Sequence, residues 1–92
     1  MTHRVPHRVA YVVEDPVEPG ATATVYLMRL PDGQPHVLRD SAAVIWAVAA
    51  EGEPDVAAAV SELLGEPVTE IEAAVADYLG VLVVQGWLEE AP

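Results

Sequence analysis

At Asp40 the apolar residues change their period from two to 3.6, and that change sets the architecture: strands come first and helices after. Upstream, Arg8 to Glu14 (Arg-Val-Ala-Tyr-Val-Val-Glu) is rich in β-branched and aromatic residues and reads as a strand. Pro16, Pro19 and Gly20 make Asp15 to Gly20 a loop. Thr22 to Leu30 gives a second strand through Thr24, Val25, Tyr26 and Leu27. Pro31-Asp32-Gly33-Gln34 is a turn in which Pro presets φ and Gly allows a positive φ at the reversal. Pro35 to Arg39 follows as a short third strand, hairpinned to the second. Its leading proline cannot donate to a ladder, which predicts a place at the sheet edge.

Downstream, Asp40 or Ser41 is expected to cap a helix through Ala50, with Gly52 as its stop. Pro54 fits a first helical turn, with Glu53 or Asp55 at the positive end. Val56, Ala59, Val60, Leu63 and Leu64 then form the apolar side of a second helix, ended by Gly65 and Pro67. Thr69 with Glu72 three residues later reads as a capping box opening a third helix that runs to about Gln85. Its core stripe is Ile71, Val75, Tyr78 and Leu82, flanked by Ala74 and Leu79; Gly86 then lets Trp87 and Leu88 fold back onto the core. The expected class is α+β: a three-stranded antiparallel sheet followed by three helices that cover one face, winged-helix-like in order. Residues 1–92 make a single domain with its core at about 8–90.

Composition narrows the chemistry. With 52% hydrophobic residues the chain can bury a core, and with no Cys it has no disulfide or thiolate chemistry. No apolar run approaches the roughly 20 residues of a membrane span, and Met1 to Arg8 leads into no signal-peptide apolar region, so a cytoplasmic protein is expected. Residues 1–39 carry Arg4, Arg8, Arg29 and Arg39 against Glu14, Asp15, Glu18 and Asp32, which cancel. The net charge of -11 therefore lies wholly after residue 39, where no Lys or Arg occurs. Such a half repels phosphate, so nucleic acid is not an expected partner.

Nothing demands catalysis. His3 and His7 are four apart, a metal spacing only on a helix that Pro6 would spoil, and His36 stands alone, so no metal or other cofactor is expected. Ser41 and Ser61 have no His nearby in sequence, and the carboxylates sit at helix starts and wet faces.

The third helix holds the anomaly. Opposite its core stripe it reads Ala73, Asp77, Gly80, Val81 and Val84, where charge is expected. Gly80 costs helix stability and lets another backbone come close. A helix apolar nearly all round must be covered, either by its own sheet, by a second copy, or by a ligand. The third strand supplies the ligand reading: an edge strand with free N–H and C=O groups accepts an extended peptide as a further strand. Its residues His36, Val37, Leu38 and Arg39 with Ala73, Asp77, Gly80, Val81 and Val84 are the candidate peptide-binding set.

The run His36-Val37-Leu38-Arg39-Asp40-Ser41-Ala42-Ala43-Val44-Ile45-Trp46, then Gly52, a second helix, and Ala76-Asp77-Tyr78-Leu79-Gly80-Val81-Leu82-Val83-Val84-Gln85-Gly86-Trp87-Leu88 resembles the PqqD-like family. That family comprises recognition elements for ribosomally made, post-translationally modified peptides. The resemblance spans about residues 22–90. It implies a non-catalytic, winged-helix-like domain that binds the leader region of a precursor peptide between third strand and third helix. The bound precursor is then presented to a modifying enzyme, the domain itself being a monomer or weak homodimer. Two other classes fit the element order: an acidic interaction or assembly subunit, and a DNA-binding regulator. Glu70, Glu72 and Asp77 on the third helix, with no Lys or Arg, suit DNA poorly.

Overall fold

The structure is a computed structural model and describes residues 2–15 and 23–91. Its elements are β1 (Thr2–Arg4), β2 (Val9–Glu14), β3 (Thr24–Arg29), β4 (His36–Leu38), α1 (Asp40–Ala50), α2 (Val56–Leu64), α3 (Val68–Val84) and β5 (Glu89–Ala91). The fold is α+β, with a three-stranded antiparallel sheet in the order β2-β3-β4 and three helices after it. The loop expected at Asp15–Gly20 and the start of the second strand at Thr22 lie largely outside the described residues.

A second sheet was not expected. β1 pairs antiparallel with β5, Thr2 opposite Ala91 and Arg4 opposite Glu89, so the two ends of the chain meet. Arg4 Nε donates to a Glu89 carboxylate oxygen at 2.8 Å. This exposed pair adds little stability by itself, and β1 also packs against α1.

The period-two pattern sorts the larger sheet's side chains. Val9, Tyr11 and Val13 share a face with Arg29, Leu27 and Val25 and with His36 and Leu38. On this inner face Val9, Val25, Leu27 and Leu38 are buried together with Ile45, Trp46 and Val48 of α1, Val56 and Val60 of α2, and Val75 and Leu82 of α3. Trp87 and Leu88 close the core, as Gly86 at φ +82° allows. The Trp46 indole N–H donates to the Trp87 carbonyl at 3.0 Å, which satisfies a polar group inside the core.

Several local expectations need correction. α1 is preceded by Arg39 in extended conformation with no side-chain cap, and Asp40 takes φ +56° instead of capping. Asp tolerates this left-handed conformation better than most residues. Pro54 lies outside α2: Asp55 is the N-cap, and its carboxylate accepts from Ala58 N–H at 3.1 Å. The Thr69–Glu72 capping box does not form, because α3 begins one residue earlier behind Pro67. Gly33 has no positive φ; a Cβ there would lie 2.6 Å from the Arg29 carbonyl oxygen, so close approach is what requires glycine. Leu63, assigned to the apolar side of α2, is 67% exposed, and Ala74 is exposed as well.

Candidate peptide-binding groove

β4 bonds to β3 along one side only, so its other side is a sheet edge. Contacts at the two ends of β4 lie near α3. At the start of β4, the His36 imidazole stacks on the Trp87 indole just past the end of α3, centroids 5.4 Å apart. Beyond the end of β4, Ser41 lines a recess of about 140 Å³ with Ile71, Ala74 and Val75 of α3, Ile45 of α1, and Val60 and Leu64 of α2. From Ala74 to Val84 the helix rises about 15 Å, and extended chain from His36 to Arg39 covers about 10 Å. β4 therefore runs opposite in direction to α3, its start near the end of α3 and the Ser41 corner near Ala74. α3 makes its helix packing with α1 and α2, leaving the strand edge unpacked by it.

Helical geometry then decides which stripe of α3 faces the edge. Ala74 lines the recess, and Tyr78, Val81 and Gln85 follow it at four, seven and eleven residues, all in one row. Ala73, Asp77, Gly80 and Val84 form the next row, about 100° further round and almost opposite the core. All four are exposed; Val84 is 87% exposed, and nothing stands within 4 Å of a Cβ placed on Gly80. The domain's own sheet thus does not cover this row. Of the α3 residues read from the sequence, Val81 falls in the row of Ala74, while Ala73, Asp77, Gly80 and Val84 fall in the row almost opposite the core.

On the strand side the candidates divide by what they can offer. Leu38 is buried at 3% exposure, so its side chain belongs to the core and only its backbone meets a ligand. Val37 pairs with Tyr26 and turns to the outer sheet face, away from α3. His36 and Arg39 are exposed at the two ends of β4. Sequence reasoning passed over Tyr78 as a site residue, because its spacing places it equally well in the core stripe. It is only partly buried, and that burial raises its phenol above the usual 10.0.

The Ser61 hydroxyl donates to the Glu66 carbonyl at the end of α2, a capping role. Among the described residues no group of three or more His, Asp or Glu could hold a metal ion. His3 lies not at a free end but in a second recess, on the other flank of α3, with Asp55, Glu72 and Leu79. No helix is long and apolar enough to cross a membrane. No protein-family model matches the chain, and no curated protein or solved structure matches it either.

Proposed function

We propose that this domain binds an extended segment of a precursor peptide along the open edge of β4 and presents that peptide to a modifying enzyme without catalysing a reaction itself. The observation that carries the reading is the free edge of β4, whose two ends lie near α3, with an apolar recess at one of them. Strand addition satisfies the edge's N–H and C=O groups whatever the peptide's sequence, while the recess and the row of α3 select particular side chains. A recess of this size takes one small or branched apolar side chain, flanked by residues that lie over Tyr78 and Val81. The strand–helix order fits a winged-helix-like recognition element, and the acidic α3 surface at Glu70 and Asp77 favours a segment with basic residues.

The test is binding of fluorescently labelled candidate leader peptides, by anisotropy. Val81→Asp and Ala74→Trp are expected to weaken binding about tenfold or more, with circular dichroism unchanged. Wild-type affinity in both folded variants would remove the groove from consideration.

A further inference from the structure

One end of the β2-β3-β4 sheet gathers cations in a chain that is otherwise acidic. Val9 lies opposite Arg29, the Leu30 N–H donates to the Arg8 carbonyl at 2.7 Å, and Leu27 pairs with His36. His7, Arg8, Arg29 and His36 therefore share this end, and all four are exposed. His7 and Arg8 line a recess of about 500 Å³ with Leu30 and Pro31. The Arg29 guanidinium lies 4.3 Å from the centre of the Trp87 indole. Among the described residues the one ion pair joins Arg4 to Glu89, so neither Arg8 nor Arg29 has a carboxylate partner there. Glu14 and Asp15 stand at the far end of the sheet, where Glu14 pairs with Thr24. Asp32, on the turn after β3, is the one acid between Val25 and Arg39.

We infer that this sheet end is a docking site for a short acidic peptide segment of a partner protein, with Arg29 and Arg8 as its carboxylate-binding groups. The chain has fifteen acids to four arginines, yet these two arginines are left for an outside partner. Arg29 is also held ready. Stacking on the indole fixes the plane of the guanidinium and leaves its N–H edge free, and that planar fork takes a carboxylate through two parallel bonds. His36 stacks on the same indole and flanks the site from β4. From β2 to β4 the sheet end is about 10 Å wide, enough for three extended residues. The charge distribution selects a peptide over nucleic acid. Residues 40–92 carry every unbalanced acid and no Lys or Arg, so a polyphosphate extending past this end runs onto like charge. Trp87 is buried, so it offers bases no open face to stack on. A short acidic segment confined to the sheet end avoids that repulsion. This inference does not rest on the reading of the β4–α3 groove.

Anisotropy of fluorescently labelled hexaglutamate with the intact chain, at about 20 mM salt, tests it. Hexaglutamate should bind with a Kd of about 1 mM or tighter, despite the protein's net charge of -11. Salt at about 0.3 M should weaken it several-fold. Arg29→Gln and Arg8→Gln should each weaken binding at least about threefold. Arg29→Lys keeps the charge but loses the fork, and should fall between wild type and Arg29→Gln. Leu63→Asp makes the same change in net charge on exposed α2 and should leave binding unchanged. Circular dichroism checks each fold, and should Arg29→Gln unfold, Arg8→Gln decides. No binding by wild type at about 1 mM protein overturns the inference. So does wild-type affinity in either folded arginine-to-glutamine variant, or an equal loss in Leu63→Asp. Tighter binding of hexathymidylate than of hexaglutamate overturns it as well.

Discussion

His36 and Trp87 stack with ring planes 16° apart, and this contact fastens the start of the edge strand to the chain just beyond α3. The Arg29 guanidinium lies 4.3 Å from the same indole ring, so Trp87 also holds the neighbouring strand. Stacking of this kind contributes about 0.5–1.5 kcal/mol beyond area burial. His36→Ala is expected to lower the melting temperature by several degrees and to weaken peptide binding further, since the strand edge loses its anchor. A melting scan paired with anisotropy checks both effects. Unchanged peptide affinity in a destabilised protein would show that the anchor serves stability alone.

Trp46→Phe should be more damaging. It leaves the Trp87 carbonyl without its donor inside the core and removes part of a fully buried side chain. The loss is expected to be about 2–4 kcal/mol, read by urea denaturation. A loss under about 1 kcal/mol would mean that water replaces the indole N–H.

The three stops Gly52, Gly65 and Gly86 were legible in the sequence, and each takes a positive φ. The change of period at Asp40 and the edge position of the third strand were legible too, because both follow from local chemistry. The helix starts were not: Asp40 and Thr69 look like caps, but the strand-to-helix corner and Pro67 place the first turns elsewhere. β1 and β5 were hidden for a different reason. They pair across almost the whole chain, so neither carries a local signal that names its partner. Within α3 the spacing gave the buried centre at Val75 and Leu82, but not which flank borders β4; that depends on how Ser41 and Trp87 are placed in space.

Two glycines give opposite expectations. Gly33→Ala forces a Cβ against the Arg29 carbonyl oxygen and should destabilise the β3–β4 hairpin by about 1–3 kcal/mol. Gly80→Ala meets open space inside a helix and should stabilise by up to about 1 kcal/mol, with peptide affinity little changed because this row lies almost opposite the core. Thermal melts of both variants suffice. A stabilised Gly33→Ala, or a destabilised Gly80→Ala, would contradict the backbone geometry.

Tyr78 makes stability depend on alkaline pH. Burial raises its phenol above 10.0, so the folded state holds the proton more tightly than the unfolded chain does. The unfolded state therefore binds fewer protons above pH 10, and stability falls as pH rises from about 10 through the raised folded value. Below that window Tyr78 contributes no slope. Tyr78→Phe should flatten the decline, measured by urea denaturation between pH 9 and about 11.5. An equal decline in wild type and variant would place the titrating group elsewhere.

The account turns on a peptide lying along β4 against α3, and amide shift mapping of the isotope-labelled protein tests that placement most directly. On titration with the precursor leader region, the amides of His36 to Arg39 should shift together with those of Ala74, Tyr78 and Val81. The outer-face amides of Val12 and Tyr26 should move little. Shifts that centre on Val12 and Tyr26, or no shifts at a saturating peptide concentration, would contradict the account.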